Sequence, residues 1–208
     1  MREWAGRTKG VDLPLITLSA PYGAGGSRVG QDLAALLDVP FLDRAIPAAV
    51  AERLALPAEE VLARDEPVDG LLARIRSSLP LSPHHGDDGF RLETERVLRE
   101  RAATGRGVVL GRAAAVVLRG DAGALHVRLD GAIDRRLAQA MALDGIDLKE
   151  AERRLKQNDT AREGYVRHYY GVDASDPRLY HLVVDSTAIP LDACVELVVL
   201  AARAREGA

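Results

Sequence analysis

The 208-residue sequence predicts an α/β protein: three layers, with a parallel five-stranded sheet covered by helices on both faces. Three observations predict this. Short apolar runs alternate with amphipathic stretches along the chain, and the first run ends in a glycine-rich turn that opens a helix. No apolar run approaches the roughly 18 residues of a membrane span. At roughly 150 residues per domain, one domain with a small subdomain is expected.

Leu13 to Ser19 is a buried strand, since a short apolar run closed by Gly and Pro suits a central strand better than a helix. Ala20 to Ser27 is the turn, and Val29, Leu33, Leu36 and Leu37 follow at helical spacing. Pro40 to Asp43 begins a short second strand and Ile46 to Leu54 a helix. Ala58 to Leu79 is helical in pattern but interrupted at Pro67 and Gly70, and Pro80 to Gly89 reads as an exposed loop. Leu92 to Ala103 is a charged helix, Gly107 to Leu110 a third strand and Leu125 to Leu129 a fourth, with a helix over Ala132 to Met141. Asp147 to Tyr170 is helical, with an apolar stripe at Leu148, Ala151 and Leu155 that fades after Lys156. Leu182 to Val184 is the fifth strand, and Leu191, Val195, Val198 and Ala202 mark the buried face of the last helix.

Charge and composition narrow the function. A net charge of -3 argues against a nucleic-acid or membrane surface. The single cysteine, Cys194, lies on an apolar helix face, which excludes an internal disulfide and a multi-cysteine zinc site. Residues 1–12 form an N-terminal arm without an apolar leader, so a cytoplasmic location is expected. His84, His85, Asp87 and Asp88 share one Gly/Pro-rich loop, where a solvated segment explains them better than a metal site. Of the 28 basic residues only Lys9, Lys149 and Lys156 are lysines, so a mechanism that needs a lysine has few places to find one.

That scarcity matters at the glycine-rich turn. Backbone amides at a strand–turn–helix junction converge on an anion, and the helix N-terminus adds partial positive charge. Set against G-x-x-x-x-G-K-[ST], the segment reads Ala20-Pro21-Tyr22-Gly23-Ala24-Gly25-Gly26-Ser27. Gly25 and Ser27 match, whereas Ala20 replaces the opening glycine and Gly26 the lysine. An ordinary βα turn would also explain the segment. Arg28 sits in the first helical turn, where a cation is disfavoured unless an anion is near. It is either a solvated arginine or the source of the missing charge.

With these residues in view, the sequence resembles the cytidylate kinase-like family over roughly 15–200. The resemblance rests on an ordered series of segments: Tyr22-Gly23-Ala24-Gly25-Gly26-Ser27-Arg28, Val39-Pro40-Phe41-Leu42-Asp43-Arg44, Val108-Val109-Leu110-Gly111-Arg112-Ala113, Asp134-Arg135-Arg136, Asp159-Thr160-Ala161-Arg162 with Tyr165 and Tyr169, and Asp176-Pro177 through Thr187. It implies a fold like that of P-loop nucleoside-triphosphate hydrolases, in the nucleoside-monophosphate kinase arrangement. A single kinase-like domain would span 13–205, with a helical acceptor-binding region over 44–104 and a helical lid over 147–173.

Phosphoryl transfer needs two phosphate groups held in line and their charge neutralised. The backbone of Gly23, Ala24, Gly25, Gly26 and Ser27 would hold the donor phosphates, Arg28 would add charge, and the Ser27 hydroxyl would meet Mg²⁺. The resemblance implies the remaining roles. Arg136 would lie near the ATP base, Asp43, Arg44 and Arg112 at the acceptor, and Asp159 would orient lid arginines, of which Arg162, with Arg153, Arg154 or Arg167, would close over the phosphates. ATP and Mg²⁺ are thus the expected donor and metal, with nucleotides as partners. The expected activity is phosphoryl transfer from ATP to a nucleoside monophosphate, CMP or dCMP leading. The alternatives are a catalytically weak nucleotide-binding module and a kinase for another small acceptor. Neither acceptor identity nor oligomeric state can be read from the sequence.

Overall fold

A computed structural model describes residues 14–42, 49–50, 52–53 and 87–206. Four strands, β1 (Leu15–Ser19), β2 (Val108–Leu110), β3 (Ala124–Asp130) and β4 (Leu182–Asp185), form a parallel sheet in the order β2-β1-β3-β4. The helices are α1 (Gly26–Leu37), α2 (Asp87–Ala103), α3 (Ala114–Val117), α4 (Ile133–Asp144), α5 (Leu148–Tyr170) and α6 (Leu191–Glu206), with a 3₁₀ turn at Pro177–Leu179.

Alternation along β1 distributes the core to both faces of the sheet. Ile16 and Leu18 pack with Val29 and Leu33 of α1 and with Cys194, Val195 and Val198 of α6. Leu15 faces the other way, with Val109, with Val97 and Leu98 of α2, and with Val117 of α3. Helices on both faces of a parallel sheet make the expected three layers.

Two boundaries differ from the sequence expectation. The second strand, expected to begin at Pro40 to Asp43, is among the described residues a single parallel bridge, Phe41 to Val108. It is held by Leu42 N–H to Val108 O at 2.8 Å and Val108 N–H to Pro40 O at 2.9 Å. Pro40 has no amide to extend the ladder, so pairing stops there. Helix α2 starts at Asp87, within the expected loop over 80–89. Helix α5 is one continuous 23-residue helix, capped by the Asp147 carboxylate on the Glu150 amide at 2.8 Å.

Among the described residues no helix is long and apolar enough to cross a membrane. Most of the expected acceptor-binding region over 44–104, together with Asp43, Arg44, His84 and His85, lies outside the described residues.

Candidate active site

The carboxyl ends of β1, β2 and β3 bring three turns to one edge of the sheet, where parallel α/β folds bind ligands. β1 runs into Ala20–Gly25, β2 into Gly111–Ala113 and β3 into Gly131–Ala132. In the first turn Gly23 (φ +80) and Gly25 (φ +73) are left-handed, a conformation that side chains resist. A Cβ on Gly23 would also collide with the Arg136 carbonyl oxygen.

Gly25 caps α1 without a side-chain hydrogen bond, and no acidic residue stands in the first turn of the helix. The first bond into the helix is Val29 N–H to Gly25 O at 3.0 Å. The amides of Gly26, Ser27 and Arg28 therefore precede the helical ladder and have no intrahelical acceptor. The carbonyls of the loop behave oppositely, being taken up from behind. Arg162 Nη1 donates to Ala20 O, Arg136 Nη1 to Tyr22 O at 3.0 Å, Gln139 Nε2 to Gly23 O at 2.9 Å and Ser186 Oγ to Ala24 O at 2.8 Å. Ala24 N–H closes on Pro21 O at 3.1 Å. With carbonyls drawn outward, the amide face is left for an anion.

The elements behind the loop explain this capture. Arg136 and Gln139 lie one turn apart on α4, and Asp159 and Arg162 one turn apart on α5, so each pair presents a common face. Arg136 and Asp159 form an ion pair at 2.7 Å, almost removed from solvent. Asp159 Oδ1 also accepts the Tyr22 amide at 2.8 Å, and Arg136 Nε donates to Gly131 O at 3.1 Å. Burial lowers the Arg162 pKa below its usual range; Asp159 opposes that shift, while Arg128 and Arg136 add to it. Tyr22 is anchored at its far end by its hydroxyl on Asp144 at 2.7 Å, and burial together with that carboxylate pushes the phenol up to about 12.

The other expected site residues fall as follows. Ser27 and Arg28 are exposed on the first turn of α1, and Arg28 Nε pairs with Asp32 one turn further along at 2.7 Å. Arg112 follows β2 with φ +55, between Gly111 (φ +72) and Ala113 (φ +52). Successive left-handed residues outside glycine cost on the order of 1 kcal/mol each and cluster where function holds them. Gly111 N–H bonds Leu18 O at 2.8 Å, which keeps this turn one strand away from the glycine loop. Arg167 is exposed near the far end of α5, where its charge helps hold the Asp173 carboxyl low, after the hydrogen bonds from Ser175.

Sequence reasoning missed Gln139, Arg128 and the loop contact of Ser186. Arg128 is buried at the end of β3, bonded to Asp130 and Ala174 O at 2.9 Å and lying 5.8 Å from the Tyr180 ring centroid. Spacing could have placed Gln139 beside Arg136; nothing local pointed to Arg128.

For Mg²⁺, the described residues contain no cluster of three or more His, Cys, Asp or Glu side chains able to hold an ion. An exposed serine hydroxyl at an open helix N-terminus still fits a metal that arrives on nucleotide phosphates, since Mg²⁺ keeps most of its waters and takes few protein ligands.

The fold and this edge define a parallel α/β protein with a glycine-rich loop between its first strand and first helix, at the carboxyl edge of the sheet. The chain belongs to the cytidylate kinase-like family, whose profile matches residues 15–188. It is 33% identical over 104 residues to the cytidylate kinase of Methanopyrus kandleri, covering 46% of this chain and 54% of that protein. The corresponding protein of Aeropyrum pernix is 28% identical over 119 residues, covering 57% and 69%. The chain's match thus spans about half the length of the first relative. The crystal structure of an uncharacterized protein from Eubacterium ventriosum superposes with a TM-score of 0.68 at 18% identity, covering 91% of this chain and 98% of that one.

Proposed function

We propose that the protein transfers a phosphoryl group from ATP to a nucleoside monophosphate, with CMP or dCMP the leading acceptor. One observation carries the reading: an uncapped helix N-terminus faces outward from a loop whose carbonyls from 20 to 24 are all engaged elsewhere. Family membership supports the reaction class, and the relatives named cytidylate kinase support the choice of acceptor.

The amides of Gly23, Gly25, Gly26 and Ser27 bind and orient the donor phosphates, that of Ala24 being closed on Pro21 O. Arg28 adds charge by exchanging Asp32 for phosphate, an inexpensive exchange because exposed pairs contribute only about 0–1 kcal/mol. Arg112 holds the acceptor phosphate across the edge, with Asp43 and Arg44 contributing to acceptor recognition. Mg²⁺, met by the Ser27 hydroxyl, would neutralise charge on the donor phosphates. Arg162 holds the loop through Ala20, and Arg167 stands free of the loop to approach bound phosphates from α5. Excluding water is what separates transfer from wasteful hydrolysis of the donor.

A second reading, a nucleotide-binding module with weak catalysis, is favoured by the orientation of Arg28 toward Asp32 rather than over the loop. ADP release from Mg·ATP, coupled to a detector and run across a panel of nucleoside monophosphates and small alcohols, separates the two. The kinase reading expects acceptor-dependent turnover. ATP binding without turnover for any acceptor selects the module.

A further inference from the structure

The carbonyl donors come from three elements that are distant in sequence. Arg136 and Gln139 belong to α4, Arg162 to α5, and Ser186 to the turn after β4. Each donor accounts for a different loop carbonyl, and Ser186 reaches Ala24 from a side chain that is 1% exposed. A peptide unit whose carbonyl is fixed outward has the amide of the next residue fixed inward, since both belong to one plane. Tyr22 O and Ala24 O set the Gly23 and Gly25 amides in this way. Ala20 O, by contrast, precedes Pro21, which has no amide, and Gly23 O precedes the Ala24 amide, which is closed on Pro21 O. Arg136 and Ser186 therefore determine where the Gly23 and Gly25 amides point, although neither bond is made to those amides.

We propose that Ser186 and Arg136, the latter held by Asp159, are positioning residues for the phosphate loop. They hold its carbonyls away so that the amide face is formed before any ligand arrives. Preorganisation of this kind lowers the cost of binding, because the loop need not be ordered by the anion. It gives a lysine-less loop a means of holding phosphate that does not depend on a cation at position 26. The inference rests on the reading of this loop as the phosphate site.

Two variants test it with little risk to folding, Gln139→Met and Ser186→Ala. The first keeps bulk at a partly exposed helical position and the second removes one hydroxyl. Calorimetric binding of inorganic tripolyphosphate is compared with melting temperature, and KM for Mg·ATP with KM for the acceptor. The positioning role predicts roughly fivefold weaker tripolyphosphate binding for Ser186→Ala, as expected for one lost hydrogen bond. It predicts unchanged binding for Gln139→Met, whose partner Gly23 O precedes the already closed Ala24 amide. In Ser186→Ala the KM for ATP should rise by a similar factor while the acceptor KM stays put. A merely structural role would lower the melting temperature and leave the ATP-to-acceptor ratio of KM values unchanged.

Wild-type binding by Ser186→Ala overturns the inference, and so does wild-type protein that fails to bind tripolyphosphate. If wild-type protein binds tripolyphosphate but phosphorylates no nucleoside monophosphate, the kinase reading fails and the positioning inference is still decided by the binding comparison.

Discussion

The Ala20 methyl fills the space that a side chain on residue 26 would enter: a Cβ built on Gly26 lies 2.7 Å from Ala20 Cβ and 3.0 Å from Leu110 Cδ1. The two departures from the lysine-bearing loop pattern are thus a single packing arrangement, alanine at one position requiring glycine at the other. Installing the lysine alone, Gly26→Lys, should cost about 1–3 kcal/mol through overpacking. Adding Ala20→Gly should recover much of that loss, giving a coupling above about 0.5 kcal/mol in a double-mutant cycle by urea denaturation. Strictly additive losses would show that the two positions are independent.

Arg112 allows strain and function to be separated. Its φ of +55 is tolerated by glycine and resisted by other residues. Arg112→Gly should leave the protein as stable as wild type or more so, by up to about 1 kcal/mol. Acceptor-dependent turnover should meanwhile fall at least about tenfold, the order expected when a charged hydrogen bond to phosphate is removed. Unaltered acceptor kinetics would remove Arg112 from the site.

Two carboxylates hold Tyr22, and they should differ sharply in cost. Asp159 is paired with Arg136 out of solvent, whereas Asp144 meets the Tyr22 hydroxyl with its side chain 38% exposed. Asp159→Ala leaves a buried guanidinium uncompensated, a loss of about 3–5 kcal/mol. Asp144→Ala should cost about 1 kcal/mol or less. Chemical denaturation of the two variants side by side checks the ordering, and equal losses would contradict the burial argument.

The His126 ring makes stability depend on pH. It is 1% exposed, hydrogen-bonded to Thr17 Oγ1 through Nδ1 at 2.8 Å and to Leu118 O through Nε2 at 3.1 Å, and stacked on His181. A carbonyl oxygen only accepts, so Nε2 carries a proton, and in the neutral ring Nδ1 accepts from the Thr17 hydroxyl. Burial first, then the charge of His181, pulls its pKa from 6.5 to about 4; the Leu118 bond opposes this, and Arg205 and Asp121 act in smaller and opposite senses. The unfolded chain takes up the proton first as pH falls. Stability from this group is therefore complete above pH 6.5 and is lost as pH falls toward about 4, amounting to about 3 kcal/mol at that limit. The denaturation midpoint of wild type should fall across this window more steeply than that of His126→Gln. Parallel slopes would assign the pH dependence to other groups.

The sequence carried most of the fold because each strand is a short apolar run bounded by turn residues, and because Val29, Leu33 and Leu37 repeat at helical spacing. The second strand shrank to one bridge because apolarity at Phe41 and Leu42 reports burial, while ladder length depends on a partner that only the tertiary structure supplies. At the site, Gly23 and Gly25 were legible because their local pattern demands left-handed backbone. The engagement of Arg136, Asp159 and Arg162 with loop backbone was not legible. It joins positions more than a hundred residues apart, from Ala20 and Tyr22 to α4 and α5, and sequence spacing does not encode a contact of that range.

The most direct test of the central claim follows the γ-phosphoryl group of labelled Mg·ATP in the presence of CMP, with products separated by anion exchange. The account predicts that the label appears in CDP in step with ADP formation and that Arg112→Gly suppresses it. Label recovered only as inorganic phosphate, or retained in ATP with CMP and every other nucleoside monophosphate, would contradict it.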